Sequence, residues 1–302
     1  MPTPPVAPLR ELPRPSGWRA GDVVVLFGEL FGRGYANGLL DAARRAGMTV
    51  VGATVGRRDA TGPLRPLGDE ERAQAEASLG GRIVNVPLEA GFDLEPPGGG
   101  GPSPVDQLKG VRPDAWETTR LDWDAIGRAR EAGARRLDRN AEAFARELGA
   151  LVPAGASVLL AHTMAGGFPR ARVYMPLMTR LFRGTGDRYL ASDAFWASDL
   201  GRLCAASFEE VSARTFRALV AATAALRSGG RRVRIVAFGY HGCEVLAGGA
   251  PAWQTYVPYL QGEAKLALER HAREAWADGV CATVYDAPEI WTNSSALFTG
   301  AS

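Results

Sequence analysis

Tyr256 and Lys265, nine positions apart, form the pair in this sequence with the plainest chemical capacity. A phenol can donate a hydrogen bond or a proton to an oxygen that gains negative charge, and a nearby ammonium lowers the phenol's pKa. Composition singles out the lysine. Lys and Arg total 35, and since only Lys109 and Lys265 are lysines, the other 33 are arginines. A chain that uses Arg wherever any cation suffices keeps an ammonium where a compact donor with a tunable pKa is needed. Residues nine apart on one α-helix lie ~180° apart, so Tyr256 faces Lys265 only if it precedes the helix. Pro258 permits that arrangement, because proline suits a first helical turn and disfavours helical backbone in the residue before it. Tyr259, about 120° from Lys265 within such a helix, is the weaker partner, and Tyr240 lies upstream at the end of a predicted strand. For each tyrosine the alternative is aromatic packing.

A second constellation is Gly28-Glu29-Leu30-Phe31-Gly32-Arg33-Gly34, set between a strand-like run and a helical pattern. Glycines there let the backbone approach a phosphate and aim free N–H groups at it, although a tight turn in a glycine-rich chain is the plainer alternative. After the second strand-like run come Arg57 and Arg58, with no carboxylate following before Asp59. Arginine pairs with a 2′-phosphate and a carboxylate repels one, so NADPH is favoured over NADH as the dinucleotide, with two solvated arginines as the alternative. His162 ends a predicted strand beside the cofactor crevice and joins the cofactor-binding candidates, against the simpler role of a structural histidine. Lys109 could meet an anionic substrate or carrier, or be a surface lysine. No histidine pair or cysteine spacing suggests a metal, and no Gly-x-Ser-x-Gly elbow suggests a serine hydrolase.

The elements that must position these residues alternate. Asp22–Phe27, Met48–Val55, Arg82–Val86, Ser157–Ala161, Arg232–Phe238 and Val280–Tyr285 read as strands. Helical patterns fall after Gly34, over Trp123–Leu148, Phe208–Leu226 and Pro258–Ala277. That order predicts an α/β doubly wound parallel sheet of the Rossmann type in a single domain, residues 21–302, after a Pro-rich flexible lead over 1–20. Insertions are expected near 91–120 and 165–200. The first holds Pro96-Pro97-Gly98-Gly99-Gly100-Gly101-Pro102, which suits neither helix nor ladder, and reads as mobile. With 302 residues, 46% apolar and 23% charged, the chain can bury a sizeable core. A net charge of +2 without blocks of like charge argues against nucleic-acid binding. No apolar run reaches ~18 residues and no signal-like segment opens the chain, so a cytoplasmic protein without a membrane span is expected. The three cysteines, Cys204, Cys243 and Cys281, are odd in number and read as reduced thiols.

The glycine turn and the Tyr…Lys pair together resemble the short-chain dehydrogenase/reductase superfamily. From Tyr240 to Ser295 the chain is similar to enoyl-acyl-carrier-protein reductases: Tyr240-His241-Gly242 ends a strand, Tyr256 and Lys265 are widely spaced, and Pro288-Glu289-Ile290-Trp291-Thr292 follows the next strand. The resemblance covers roughly residues 22–298. It implies reduction of the C=C bond of an α,β-unsaturated acyl thioester, on acyl carrier protein or coenzyme A, by NADPH or NADH. Tyr256 would donate to the enolate oxygen, Tyr240 would assist, and Lys265 would bind the nicotinamide ribose and tune the phenol. Gly28, Gly32, Gly34, Pro288, Ile290 and Thr292 would contact the cofactor. The superfamily's habit of pairing helices across two-fold axes implies a homo-oligomer, a dimer or tetramer. Ketoreductases carry a Ser where this chain has Phe238-Gly239-Tyr240, which favours C=C over C=O reduction. Little sequence follows Thr292, so the two insertions are expected to take over substrate binding. The alternatives are a short-chain reductase of ketones or secondary-metabolite intermediates, and a non-catalytic NAD(P)-binding regulator.

Overall fold

The run Val23–Phe27 forms β1, buried along its whole length because helices cover both faces of the sheet it enters. The protein is described by a computed structural model over residues 17–30, 36–58, 63–167, 169–174, 176–177, 193–239, 242–247, 250–255 and 260–286. After β1 come α1 (Asn37–Arg45), β2 (Thr49–Thr54), α2 (Asp69–Leu79), β3 (Arg82–Pro87), α3 (Pro104–Gln107), α4 (Trp123–Leu151) and β4 (Val158–His162). The second half holds α5 (Asp193–Ala197), α6 (Asp199–Phe208), a π-helical turn (Glu209–Arg214), α7 (Thr215–Ala222), α8 (Ala224–Ser228), β5 (Val233–Gly239), β6 (Gly242–Ala247), β7 (Ala250–Thr255), α9 (Leu260–Ala277) and β8 (Ala282–Asp286).

Six strands form one parallel sheet in the order β3-β2-β1-β4-β5-β8. The order reverses between β1 and β4, and in open α/β sheets the crevice outside the strand C-termini at that switch is where ligands bind. Alternation along β1 divides the core. Val24 and Leu26 pack with Leu40 of α1 and Leu79 of α2 on one face. Val23, Val25 and Phe27 pack on the other with Phe144 of α4, Phe216 of α7 and Leu268 of α9. The expected doubly wound Rossmann-type sheet is therefore the observed architecture. Among the described residues no helix is long and apolar enough to cross a membrane.

The insertions differ from expectation. Phe92, Leu108, Trp116 and Leu121 from the first are buried with Tyr174, Leu177, Phe195 and Leu200 from the second, in a core of their own. Ser103 caps α3, its hydroxyl accepting from Asp106 N, so the proline and glycine segment ends in a seated helix. The tract expected to be mobile is thus closed on both sides by buried anchors. The Tyr174 hydroxyl, fully buried, donates to Leu200 O at 2.8 Å. Further elements went unanticipated: α2, α5, α6, the antiparallel β6–β7 hairpin and the π-turn. Of the flexible lead expected over residues 1–20, residues 1–16 lie outside the described residues, and Trp18 packs against the core on the α1 face.

Candidate active site

Lys265 sits one turn into α9 and is 2% exposed. Its Nζ donates at 2.7 Å to the carbonyl of Phe238, near the C-terminal end of β5. Ala264, Ala267 and Leu268 around it are buried, so the helix fixes the ammonium at the carboxyl edge of the sheet.

His162 ends β4 in register with Phe27 of β1 and Ala237 of β5. Its ring stacks on Phe27 and meets Phe216 edge-on. The Thr215 hydroxyl donates its one proton to Val211 O at 2.7 Å, so His162 Nε2 is the donor in the 2.8 Å bond to Thr215 Oγ1. That leaves Nδ1 as a buried lone pair without a hydrogen-bond partner. Burial, together with the Lys265 charge, drives the imidazole pKa from 6.5 down to about 3, so the ring is neutral. Expected to touch the cofactor, His162 is 1% exposed and its ring is engaged by Thr215. That bond ties β4 to the start of α7.

At the first turn, Gly28 has φ +136°, a backbone conformation that side chains rarely adopt. A Cβ there would lie 2.4 Å from Thr163 Oγ1 and 3.1 Å from the Thr163 carbonyl carbon, so the two loops at the switch meet backbone against backbone. Thr163 N donates to Phe27 O at 2.9 Å and closes the contact. Helix α1 opens without a side-chain cap from Ala36 and without an acidic residue in its first turn, so no carboxylate there opposes an anion at its positive end. A helix N-terminus suits a dinucleotide's pyrophosphate. Gly32 and Gly34 lie outside the described residues.

Glu29, the next residue, reaches the C-terminal end of β2, where Oε2 accepts from Thr54 Oγ1 at 2.8 Å and Val55 N at 3.1 Å. Its Oε1 pairs with Arg57 Nη1 at 2.9 Å. The Arg57 Nε lies 3.8 Å from Glu71, and Arg58 is held by Glu89 at 2.9 Å and Glu95 at 3.2 Å. The two arginines expected to grip a 2′-phosphate are therefore already engaged by carboxylates. Lys109, on the surface with 72% of its side chain exposed, pairs with Asp106 at 2.5 Å. Tyr240, Tyr256, Tyr259, Pro288, Ile290 and Thr292 lie outside the described residues.

Glu29 and Thr215 escape sequence reasoning. A single carboxylate in a glycine turn gives no sign that it reaches the next strand, and a threonine in a helical pattern gives none that a π-turn aims it at a histidine. The signal available for Glu29 was its place one residue after Gly28. Above the sheet, Asp93, Glu89 and Glu95 meet Arg58, Arg136 and Arg170 in a six-residue ionic network joining the two insertions to α4. Among the described residues no three metal-ligating side chains converge.

Comparison with known proteins finds a family model, described as enoyl-acyl carrier protein reductase FabMG, matching residues 5–302. An apo structure of FabMG, a novel type of enoyl-acyl carrier protein reductase, is 50% identical with a TM-score of 0.88, covering 97% of this chain and 66% of that one. An NADH-bound FabMG structure is 42% identical with a TM-score of 0.73, covering 97% of this chain and 67% of its own. The chain spans about two thirds of the length of the FabMG chains it matches. No curated protein matches it.

Proposed function

The chain belongs to the FabMG family of enoyl-acyl carrier protein reductases, and on that premise we propose that it reduces the C=C bond of an α,β-unsaturated acyl thioester borne by an acyl carrier protein. A nicotinamide dinucleotide, when bound, supplies the hydride that adds to the β-carbon. Lys265 holds the nicotinamide ribose and lowers the pKa of Tyr256, which donates to the thioester oxygen as it becomes an enolate. Tyr240 assists at the end of β5. Gly28, Gly32 and Gly34 contact the pyrophosphate, and Pro288, Ile290 and Thr292 contact the nicotinamide side. The observation that carries this reading is Lys265: a buried ammonium, one of two lysines in the chain, seated on the carbonyl that ends the fifth strand. NADH replaces NADPH as the favoured reductant, because carboxylates hold Arg57 and Arg58 and the related FabMG was solved with NADH. Cytoplasmic location and homo-oligomerisation through the helices near 208–226 (the π-turn, α7 and α8) and α9 belong to the same reading. Trp276 on α9, 58% exposed, is an apolar surface such a contact would cover, and Trp276→Glu should then lower the mass seen by light scattering.

The test supplies crotonyl thioester on acyl carrier protein, and separately on coenzyme A, with NADH. Oxidation of NADH with formation of the saturated thioester, strongest on the carrier protein, is the expected result. Reduction of the β-ketoacyl thioester without enoyl turnover would overturn it.

A further inference from the structure

We propose that Glu29 sets the choice between NADH and NADPH, delivering from the first turn of the fold the carboxylate that the end of β2 lacks. This rests on the cofactor reading above. In dinucleotide-binding sheets an acidic residue at the end of β2 accepts from the adenosine ribose 2′-hydroxyl and repels a 2′-phosphate. The residues after β2 here are Val55, Gly56, Arg57 and Arg58, which by sequence alone invite a phosphate. The structure reverses that reading. The Glu29 carboxylate spans the gap from β1 and is pinned at β2 by Thr54 Oγ1 at 2.8 Å and Val55 N at 3.1 Å. Thr54 is fully buried, so the anchor is rigid.

The charge arithmetic at that corner follows. Arg57 is neutralised by Glu29 and lies near Glu71, while Arg65 pairs with Glu71 at 2.7 Å. Among these described residues two arginines and two glutamates sum to zero, so they offer no net positive charge to a phosphate monoester of roughly −2. A ribose hydroxyl, by contrast, needs only an acceptor. Oε2 already accepts from Thr54, Val55 and Arg57, but among the described residues Oε1 meets Arg57 alone, which leaves it a lone pair for a diol. Glu29 is 20% exposed in its side chain and Arg57 35%, so both reach solvent while anchored at β2.

Removing the charge should release Arg57 to bind phosphate. The test titrates the wild type, Glu29→Gln, Glu29→Asp and the double variant Glu29→Gln/Arg57→Gln with NADH and with NADPH, reading the fluorescence of the bound dihydronicotinamide without acyl substrate. The wild type is expected to bind NADH more tightly. In Glu29→Gln the ratio of the two dissociation constants should shift toward NADPH by about tenfold or more, one charge-assisted contact being exchanged for another. Glu29→Asp, which keeps the charge, should retain the NADH preference, and the double variant should lose the NADPH gain. If Glu29→Gln does not fold, as judged by melting, the Glu29→Asp arm still decides, since loss of discrimination with the charge retained overturns the proposal. An unchanged ratio in folded Glu29→Gln also overturns it and leaves the reductase reading intact. A wild type that binds neither nucleotide sinks the cofactor reading and this assignment with it.

Discussion

Lys265 and His162 occupy neighbouring slots under the ends of β5 and β4 and answer to opposite demands, one charged and one kept neutral. Lys265→Met deletes the donor to Phe238 O, and an orphaned carbonyl there costs about 1–3 kcal/mol, while the lost contact to cofactor and phenol should lower kcat by on the order of 10²-fold. Lys265→Arg should rescue little, since a planar fork does not fit a slot 2% exposed. Steady-state kinetics beside thermal melting separates the two losses, and an Arg variant with wild-type kcat would count against the role. His162 makes a pH prediction. Unfolded, it protonates near 6.5; folded, only near about 3. Between those values the unfolded chain holds the extra proton, so the stability is complete above pH 6.5 and is lost as pH falls toward 3. At pH 5 the loss is about 2 kcal/mol. Glu71, whose carboxylate is held down to about 2 by Arg65, loses its contribution mainly below 4.5, under the pH 5 to pH 7 span of the melts that isolate the histidine. Denaturant melts at pH 7 and pH 5 should show wild type losing more than His162→Gln, and equal losses would clear the histidine of responsibility.

The π-turn between α6 and α7 is the element that brings these side chains to the sheet, since it turns Thr215 toward His162 and Ser212 toward Gly166, whose carbonyl accepts at 3.1 Å. The loop it holds lies against helix backbone. At Gly167, φ +141°, a Cβ would stand 2.4 Å from Phe208 Cα and 2.6 Å from Phe208 N. Gly167→Ala should therefore cost about 1–3 kcal/mol, the usual range for overpacking, and raise KM for the acyl substrate more than for NADH. A melting temperature equal to wild type would show that the loop gives way freely. Which elements could be read from sequence follows from their periodicity. β1, β2 and β4 were legible because burial on both faces makes them short apolar runs, β3, β5 and β8 because their β-branched residues alternate with more exposed ones, and α4 because Ile126, Ala129, Gly133, Leu137, Ala141, Phe144 and Leu148 recur at helical spacing. By contrast α2 buries only Ala75 and Leu79 and shows no stripe. The hairpin was masked by Pro251 within β7, although Gly248-Gly249 between its strands is a hairpin signal. A π-turn has no local signature at all. For the site, Lys265 was found through its rarity, while Glu29 and Thr215 act across long sequence separations that composition does not encode.

Across the whole molecule, the sheet's core and the second core share α4 and α9, and the ionic network over the strand ends adds a polar link between them. Arg136 on α4 is its centre. Its Nε meets Glu95 at 2.7 Å, Nη2 donates to Gly91 O at 2.9 Å, and Nη1 donates to Glu89 O. Arg58, Glu89, Glu95 and Arg136 have side-chain exposures of 10%, 15%, 13% and 14%, so solvent screens them weakly; Arg170, at 42%, is worth correspondingly less. Burial lowers what each pair contributes over an apolar substitute but raises the cost of breaking one, because the partner is left as an uncompensated charge. Arg136→Met leaves Glu95 to Arg58 at 3.2 Å and strips two carbonyls of their donor in a half-dry setting, which should cost about 3–5 kcal/mol. For a chain of this size that is a fall of roughly 6–10 °C in melting temperature. Arg136→Lys should recover little, because one ammonium cannot serve a carboxylate and two carbonyls from a single plane. Raising NaCl should move the wild-type melt only slightly, since the inner pairs are dry. Glu89 adds a pH edge. Although its burial opposes ionisation, Arg170 and Arg58 hold its pKa below the 4.5 of a free glutamate, so its contribution is full above that pH and fades below it. Because Phe92 and the chain to Leu121 hang from this network, Arg136→Met should also raise KM for the acyl substrate while leaving the NADH dissociation constant within about twofold. An Arg136→Met protein that melts within about 1 °C of wild type would mean that the two cores hold together through apolar contacts alone.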